Sequence, residues 1–245
     1  MIFNIKNKLI FHIIPIFIGI IISFSLPPYN YLLVNFIFFP IFFIFFVSNV
    51  TNNKWNSFKI GWLFGFGYFI SNIYWITNSL TFDDQFKTLI PIAFLIIPLF
   101  LGLFYAIATF ICSFFNLKNN LSSILIFALA ISSIEFIRGF ILGGFPWNLH
   151  VYSLVNHIYF LQSLSLIGTY TLNLLAITIF IIPSIFLLKN SLKSKLIITF
   201  TVILFLISNY IFGVTKIDEY NYKDNIEINS TIKLISPKIE IDRFF

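Results

Sequence analysis

Apolar residues come in seven long runs, separated by short polar stretches: Leu9–Leu26, Tyr31–Val47, Ile60–Leu80, Leu89–Phe115, Leu121–Leu142, Ile158–Leu188 and Leu196–Gly213. A helix needs about 20 apolar residues to cross a bilayer. Each run is therefore a candidate span. The pattern predicts an all-α membrane protein, a bundle of about seven transmembrane helices with a short extracytoplasmic C-terminal tail. The sixth run is too long for one upright helix, and its first part, Ile158 to Ser165, is expected to lie along the interface. Pro27, Pro28, Pro91, Pro146 and Pro183 fall near run ends, where a missing N–H costs little. Pro15, Pro40 and Pro98 fall inside runs and predict kinks there.

The tail breaks the pattern. Residues 215–245 hold eleven of the 24 charged residues. Ile232 to Ile241 reads as a short strand, a Ser-Pro-Lys interruption and a second alternating stretch. So few apolar positions cannot build a core of their own. The expected division is a transmembrane domain over 1–214 and a tail over 215–245, which is either a linker or the opening of a further domain.

Composition supports the membrane class. Hydrophobic residues make up 59% and charged residues 10%, with a mean hydropathy of +0.96; a soluble chain carries about 25% charge. The 35 Phe against a single Met follow AT-rich codon usage, with Ile, Asn and Lys, rather than marking a stacking platform. The net charge of +6 does not point to nucleic acid, because the cations lie between apolar runs. Lys6, Lys8, Lys54, Lys59, Lys118, Lys189, Lys193 and Lys195 fall on one side; Lys87 falls on the other with Asp83 and Asp84. The positive-inside rule then puts the N-terminus in the cytoplasm and the tail outside. Lys6 and Lys8 before an apolar run imitate a secretion signal, but six further spans favour an uncleaved first helix. The single cysteine, Cys112, excludes an intrachain disulfide and a cysteine-rich metal site, and reads as a packing residue.

Two charges stand inside the fifth run. Glu135 and Arg138 are three residues apart, on one helix face. Arg alone costs roughly 2.5–3.5 kcal/mol in hydrocarbon. One reading is a structural ion pair locking the helix to a neighbour. The other is that Arg138 holds a phospholipid head group, since its planar fork bonds two phosphate oxygens; the two are compatible. Gly143 and Gly144 allow a sharp turn after the helix, followed by Phe145, Pro146 and Trp147 at the depth of an aromatic belt. Trp75 and Tyr74 read as belt residues too. Gly61, Gly65 and Gly67 form a small-residue face for helix packing. Asp83 and Asp84 read as a solvated turn. His150 and His157, with no acid or cysteine nearby, make a poor metal site, so neither metal nor cofactor is expected.

Three stretches together resemble the apolipoprotein N-acyltransferase family. They are Gly61-Trp-Leu-Phe-Gly-Phe-Gly-Tyr-Phe with Tyr74-Trp75-Ile76 behind it, Glu135-Phe-Ile-Arg138-Gly139 running into Gly144-Phe145-Pro146-Trp147, and Leu161-Gln162 followed by Gly168-Thr-Tyr170 and Asn173. The resemblance implies a multi-pass protein of the bacterial inner membrane with its tail in the periplasm. It implies transfer of an acyl chain from a glycerophospholipid to the S-diacylglyceryl cysteine of a lipoprotein, so that the partners are a phospholipid acyl donor, a lipoprotein acceptor and the bilayer. It implies that the loop with Phe145, Pro146 and Trp147 shapes the entrance for donor and acceptor, and with Arg138 and Trp75 these are the residues expected in substrate or lipid binding. In the family a nitrilase-like domain with a Glu-Lys-Cys triad follows the helices, and Ile-Lys-Leu-Ile-Ser-Pro-Lys-Ile at 232–239 is similar to its first strand. This chain has Ser236 where the family usually has Gln, and Lys238 where it often has Asn.

The residues present do not supply that triad. Thiolate chemistry needs a cysteine beside a base, and none follows Cys112. Ser236 lacks a histidine partner, the last being His157. No catalytic residue is therefore expected in this chain, and the chemistry would come from a separately encoded nitrilase-like domain. The alternative is a non-catalytic lipid-binding membrane protein, a partner subunit or a remnant. A small transporter would show internal repeats or polar residues on several spans; the chain shows one charged pair and no repeat.

Overall fold

A computed structural model describes residues 8–49, 54–115, 117, 120–141, 143–188, 191–223 and 233. Among these the chain is helical, without a strand. The α-helices are α1 (Lys8–Ser23), α2 (Leu33–Asn49), α3 (Lys54–Asn72), α4 (Ile90–Cys112), α5 (Leu121–Arg138), α6 (Ile158–Leu161), α7 (Leu164–Ile181) and α8 (Leu192–Lys223). Four helical stretches, Asp84–Cys112, Leu121–Arg138, Leu164–Leu187 and Leu192–Asn221, are long and apolar enough to cross a membrane, and Leu9–Ser23 and Leu33–Asn49 are shorter apolar helices. The protein is an all-α, multi-pass membrane bundle.

Several runs end earlier or later than their hydropathy suggests. The third stops as an α-helix at Asn72, and Tyr74–Thr81 continues as a 3₁₀ helix. The side chains there favour the tighter turn: the hydroxyls of Thr77, Ser79 and Thr81 each donate to the carbonyl three residues back, in competition with the α ladder. The fifth leaves the helix at Gly139, and Gly143 and Gly144 both take positive φ, +85° and +78°. That is the sharp turn the glycine pair predicts, closed by the Phe145 N–H donating to the Arg138 carbonyl at 2.9 Å. The sixth is broken between α6 and α7 and again at Gly168, whose φ of 74° and ψ of 169° lie outside helical space. The seventh runs on to Lys223, so the rise in charge from Thr215 begins inside a helix. The strand expected at Ile232 to Ile241 lies outside the described residues, apart from Lys233.

α3 is the pivot. It packs most extensively on α4 and then on α1. Without a hydrophobic drive between helices in lipid, close backbone approach decides such contacts. A Cβ at Gly61 would meet the Tyr105 backbone, one at Gly65 would meet Gly102, and one at Gly67 would meet the Ile16 backbone. Beside α3 lies a layer of phenyl rings. Phe39, Phe42, Phe43, Phe45 and Phe46 of α2 are fully buried, and Phe42 stacks on Phe64 with centroids 4.0 Å apart. Pro15, Pro40 and Pro98 lie inside α1, α2 and α4. α8 stands apart, its apolar length almost wholly uncovered by protein.

Candidate functional site

The connections after α1, α3 and α5 gather at one end of the bundle, and the polar side chains of the interior converge beneath them. Glu135, in the last turn of α5, is 1% exposed. Its Oε1 accepts from the Tyr105 hydroxyl of α4 at 2.5 Å and its Oε2 accepts from Asn173 Nδ2 of α7 at 2.6 Å. Tyr105 also stands 3.0 Å from His150 Nε2. Because its own proton goes to Glu135, its oxygen accepts here, which assigns the imidazole proton to Nε2. His150 Nε2 is 3.5 Å from Glu135 Oε1.

The chain that returns after the glycine turn is fastened from four helices. The Val151 N–H donates to Asn173 Oδ1 at 2.9 Å and Tyr68 of α3 donates to the Asn148 carbonyl at 3.0 Å. Asn35 of α2 donates to Ser153 Oγ at 3.1 Å, and Ser153 in turn donates to the His150 carbonyl at 2.7 Å. Tyr105 of α4 completes the set through His150. Buried polar groups need such partners, since an unpaired one costs about 1–3 kcal/mol.

Asn35 Oδ1 and His150 Nδ1 lack a partner, and Arg138 lacks one at every nitrogen. It is 1% exposed, and its Nη2 lies 4.0 Å from Glu135 Oε1, near enough for attraction but not for a hydrogen bond. None of Nε, Nη1 and Nη2 has a hydrogen-bond partner. The guanidinium carbon sits 5.1 Å from the Phe69 ring centroid and 5.8 Å from that of Phe145, so cation–π attraction supplies part of what is missing. Arg138 forms part of the wall of a cleft of about 310 Å³ that is otherwise apolar, lined by Ile76, Ile97, Phe100, Phe104 and Phe145 among others.

A second cleft, of about 500 Å³, opens on the other side of the same two segments. Trp75, Pro146, Trp147 and Tyr152 line it, with Ser71 and Asn72 supplying polar atoms. The residues singled out from sequence thus fall into two groups: Arg138 and Phe145 at the first cleft, and Trp75, Pro146 and Trp147 at the second. Trp75 and Trp147 are about half exposed, while Phe145 and Trp147 lie tilted against each other at 5.8 Å. Asp83 is half-buried and Asp84 exposed. Asp83 caps the turn at Gln85, and Asp84 pairs with the Lys87 ammonium. His150 is buried and His157 exposed, and among the described residues no cluster of three metal-ligating side chains occurs.

Sequence reasoning named Glu135 and Arg138, and met His150 and Asn173 without joining them to the pair; it read no acid near His150, whereas the fold brings Glu135 to 3.5 Å from its Nε2. Tyr105, His150 and Asn173 form the network, with Tyr68 and Asn35 beside it. The usable signal was a lone asparagine in an apolar run, at Asn35 and at Asn173, since an intramembrane polar residue needs a partner or a purpose.

Comparison with known proteins accords with this arrangement. The family model for the apolipoprotein N-acyltransferase N-terminal domain matches residues 18–182, which contain both clefts and the polar network. An apolipoprotein N-acyltransferase of Brucella melitensis biotype 1 is 34% identical over 175 residues, 68% of this chain and 33% of that protein. One from Rhodopseudomonas palustris is 34% identical over 178 residues, 71% and 33%, and one from Rhizobium etli is 34% identical over 140 residues, 57% and 26%. The matched region thus spans about a third or less of each relative's length. With two thirds of its residues matched by that model, the chain belongs to the family of the apolipoprotein N-acyltransferase N-terminal domain.

Proposed function

We propose that this chain is the part of an apolipoprotein N-acyltransferase that admits and positions lipid. The reaction moves an acyl chain from a glycerophospholipid to the α-amino group of a lipoprotein's S-diacylglyceryl cysteine. The acyl donor, the lipoprotein acceptor and the surrounding bilayer are its partners. The protein sits in the bacterial inner membrane with its N-terminus in the cytoplasm and its C-terminal tail, from residue 215, in the periplasm. Holding two reactants in register accounts for much of the rate when both must meet. No cysteine with a base beside it stands among these residues, so the role proposed for them is positioning, and the nucleophile and base are assigned to a nitrilase-like domain of the kind the family joins to these helices.

One observation carries the reading: a buried guanidinium without a hydrogen-bond partner faces an apolar cleft. An alkyl chain suits the walls and a phosphodiester suits Arg138. Phe145 closes that cleft, and Trp75, Pro146 and Trp147 shape the neighbouring one, where the acceptor enters.

Binding of a short-chain phosphatidylglycerol to the purified chain in detergent, followed by native mass spectrometry, tests this. Arg138→Gln is expected to weaken binding at least tenfold, the worth of about one charge-assisted hydrogen bond. Unchanged binding removes Arg138 from the site. Acylation of a diacylglyceryl lipopeptide by residues 1–245 alone would show that these residues carry the chemistry as well as the positioning.

A further inference from the structure

We infer that Tyr105 and Asn173 are positioning residues that hold Glu135 short of a hydrogen-bonded contact with Arg138, so that the guanidinium remains available to an anionic ligand. The inference rests on the anion-binding reading of Arg138 given above.

The geometry is unusual for a buried acid and base three residues apart on one helix. Such groups normally close into a direct pair, because each then neutralises and hydrogen-bonds the other. Here the carboxylate is spent elsewhere. Oε1 accepts a hydrogen bond from the Tyr105 hydroxyl at 2.5 Å and Oε2 accepts one from Asn173 Nδ2 at 2.6 Å. Both donors are neutral, and the Glu135 carboxyl stands 4.0 Å from Nη2, while no protein atom accepts a hydrogen bond from Arg138. Each donor is itself fixed. His150 holds the Tyr105 oxygen, and Asn173 Oδ1 is committed to the Val151 N–H. The arrangement separates two duties that an ion pair would merge: charge balance within the bundle, and donors for a ligand.

Removal of a holding group therefore has a sign that a purely structural role does not predict. Tyr105→Phe keeps the ring and deletes the proton. Oε1 is then free to turn to Arg138 and close the pair, and the site loses affinity for the ligand although neither Arg138 nor the cleft wall has changed. Replacing the carboxylate in that background, as Tyr105→Phe/Glu135→Gln, takes away the competitor and restores binding.

The experiment is a titration of each purified full-length variant, in detergent, with dihexanoyl phosphatidylglycerol, beside dihexanoyl glycerol, which lacks the phosphate. The expected result is roughly a tenfold or greater loss for Tyr105→Phe with phosphatidylglycerol, recovery in the double variant, and no change with the neutral lipid. Wild-type affinity in a folded Tyr105→Phe chain overturns the inference, as does a loss that the Glu135→Gln replacement does not reverse. If Tyr105→Phe does not fold, Asn173→Ala frees Oε2 and must give the same loss, reversed in the same way. Arg138→Gln separates the two failures: a variant that binds as well as the unsubstituted chain refutes the anion site itself, whereas a weak Arg138→Gln with an unaffected Tyr105→Phe refutes only the holding role.

Discussion

Two layers of one bundle are buried to the same degree and specified in opposite ways. In the phenyl layer, Phe39, Phe42, Phe43, Phe46, Phe64 and Phe127 fill space. In the polar layer, Tyr105, Glu135, His150 and Asn173 each point a particular atom at a particular partner. Tyr68 joins them: its ring stacks 6.2 Å from that of Phe64, and its hydroxyl reaches the Asn148 carbonyl. Ring packing is fixed by volume and tolerates exchange among apolar residues of similar size. A polar network tolerates almost none, because one missing donor strands the rest.

The sharpest break in that contrast is Glu135→Leu. It leaves the Arg138 charge without a counter-ion and removes the acceptors of Tyr105 and Asn173 together. Breaking a buried pair by removing one member costs about 3–5 kcal/mol. The readout is the temperature at which a thiol-reactive dye labels the chain, because Cys112, the one cysteine, is fully buried. The labelling temperature falls further for Glu135→Leu than for a volume-conserving change in the phenyl layer such as Phe42→Leu.

Phe42→Ala probes that layer at a fully buried ring, stacked on Phe64 and edge-on to Phe127 at 5.7 Å. The expected loss is about 2–4 kcal/mol, slightly under the range for soluble cores, because lipid is as apolar as the cavity left behind. Phe42→Leu is expected to cost less than about 1.5 kcal/mol. Equal losses for Leu and Ala would show that the ring is held by its geometry rather than its volume.

Gly61→Ala tests how the polar layer is assembled. Its Cβ meets the Tyr105 backbone and the Thr109 hydroxyl, so α3 and α4 must separate. Overpacking of this kind costs about 1–2 kcal/mol, the lower part of its usual range. The separation also lengthens the Tyr105–Glu135 contact, so phosphatidylglycerol binding falls with stability, which it does not in Phe42→Leu.

How far the sequence revealed these layers depends on what each is made of. The apolar runs foretold the helical bundle because length and hydropathy suffice for that. Glu135 and Arg138 stood out because charge in hydrocarbon is costly enough to need a reason. Gly143 and Gly144 stood out because few residues take positive φ. The network was not legible. Tyr105 lies 30 residues from Glu135 and Asn173 lies 38 residues beyond it; a tyrosine in a chain with 11 of them carries no mark of its partner. The early end of α3 was hidden for another reason. Hydropathy sees Tyr74 to Leu80 as apolar enough, while the hydroxyls that tighten the turn are invisible to it. Reading the phenylalanine excess as codon usage accounted for its amount but not for its placement, since five of these residues on α2 are fully buried.

α8 supplies the control with the smallest expected effect. Its window of spanning length is only 6% buried. Contact with the rest of the chain is concentrated where Tyr159 and Phe160 meet Tyr210 and where Gly213 passes the Tyr159 carbonyl. Phe200, 68% exposed, faces lipid in both the folded and the unfolded chain, so its truncation removes no burial. Phe200→Ala should shift stability by less than about 0.5 kcal/mol, as surface substitutions do, and leave phosphatidylglycerol binding unchanged. Tyr210→Ala, on the same helix, should cost more because it loses two ring contacts. A larger effect at Phe200 than at Tyr210 would mean that protein covers this face of α8, and that apolar length alone does not explain why the helix stands apart from the two layers.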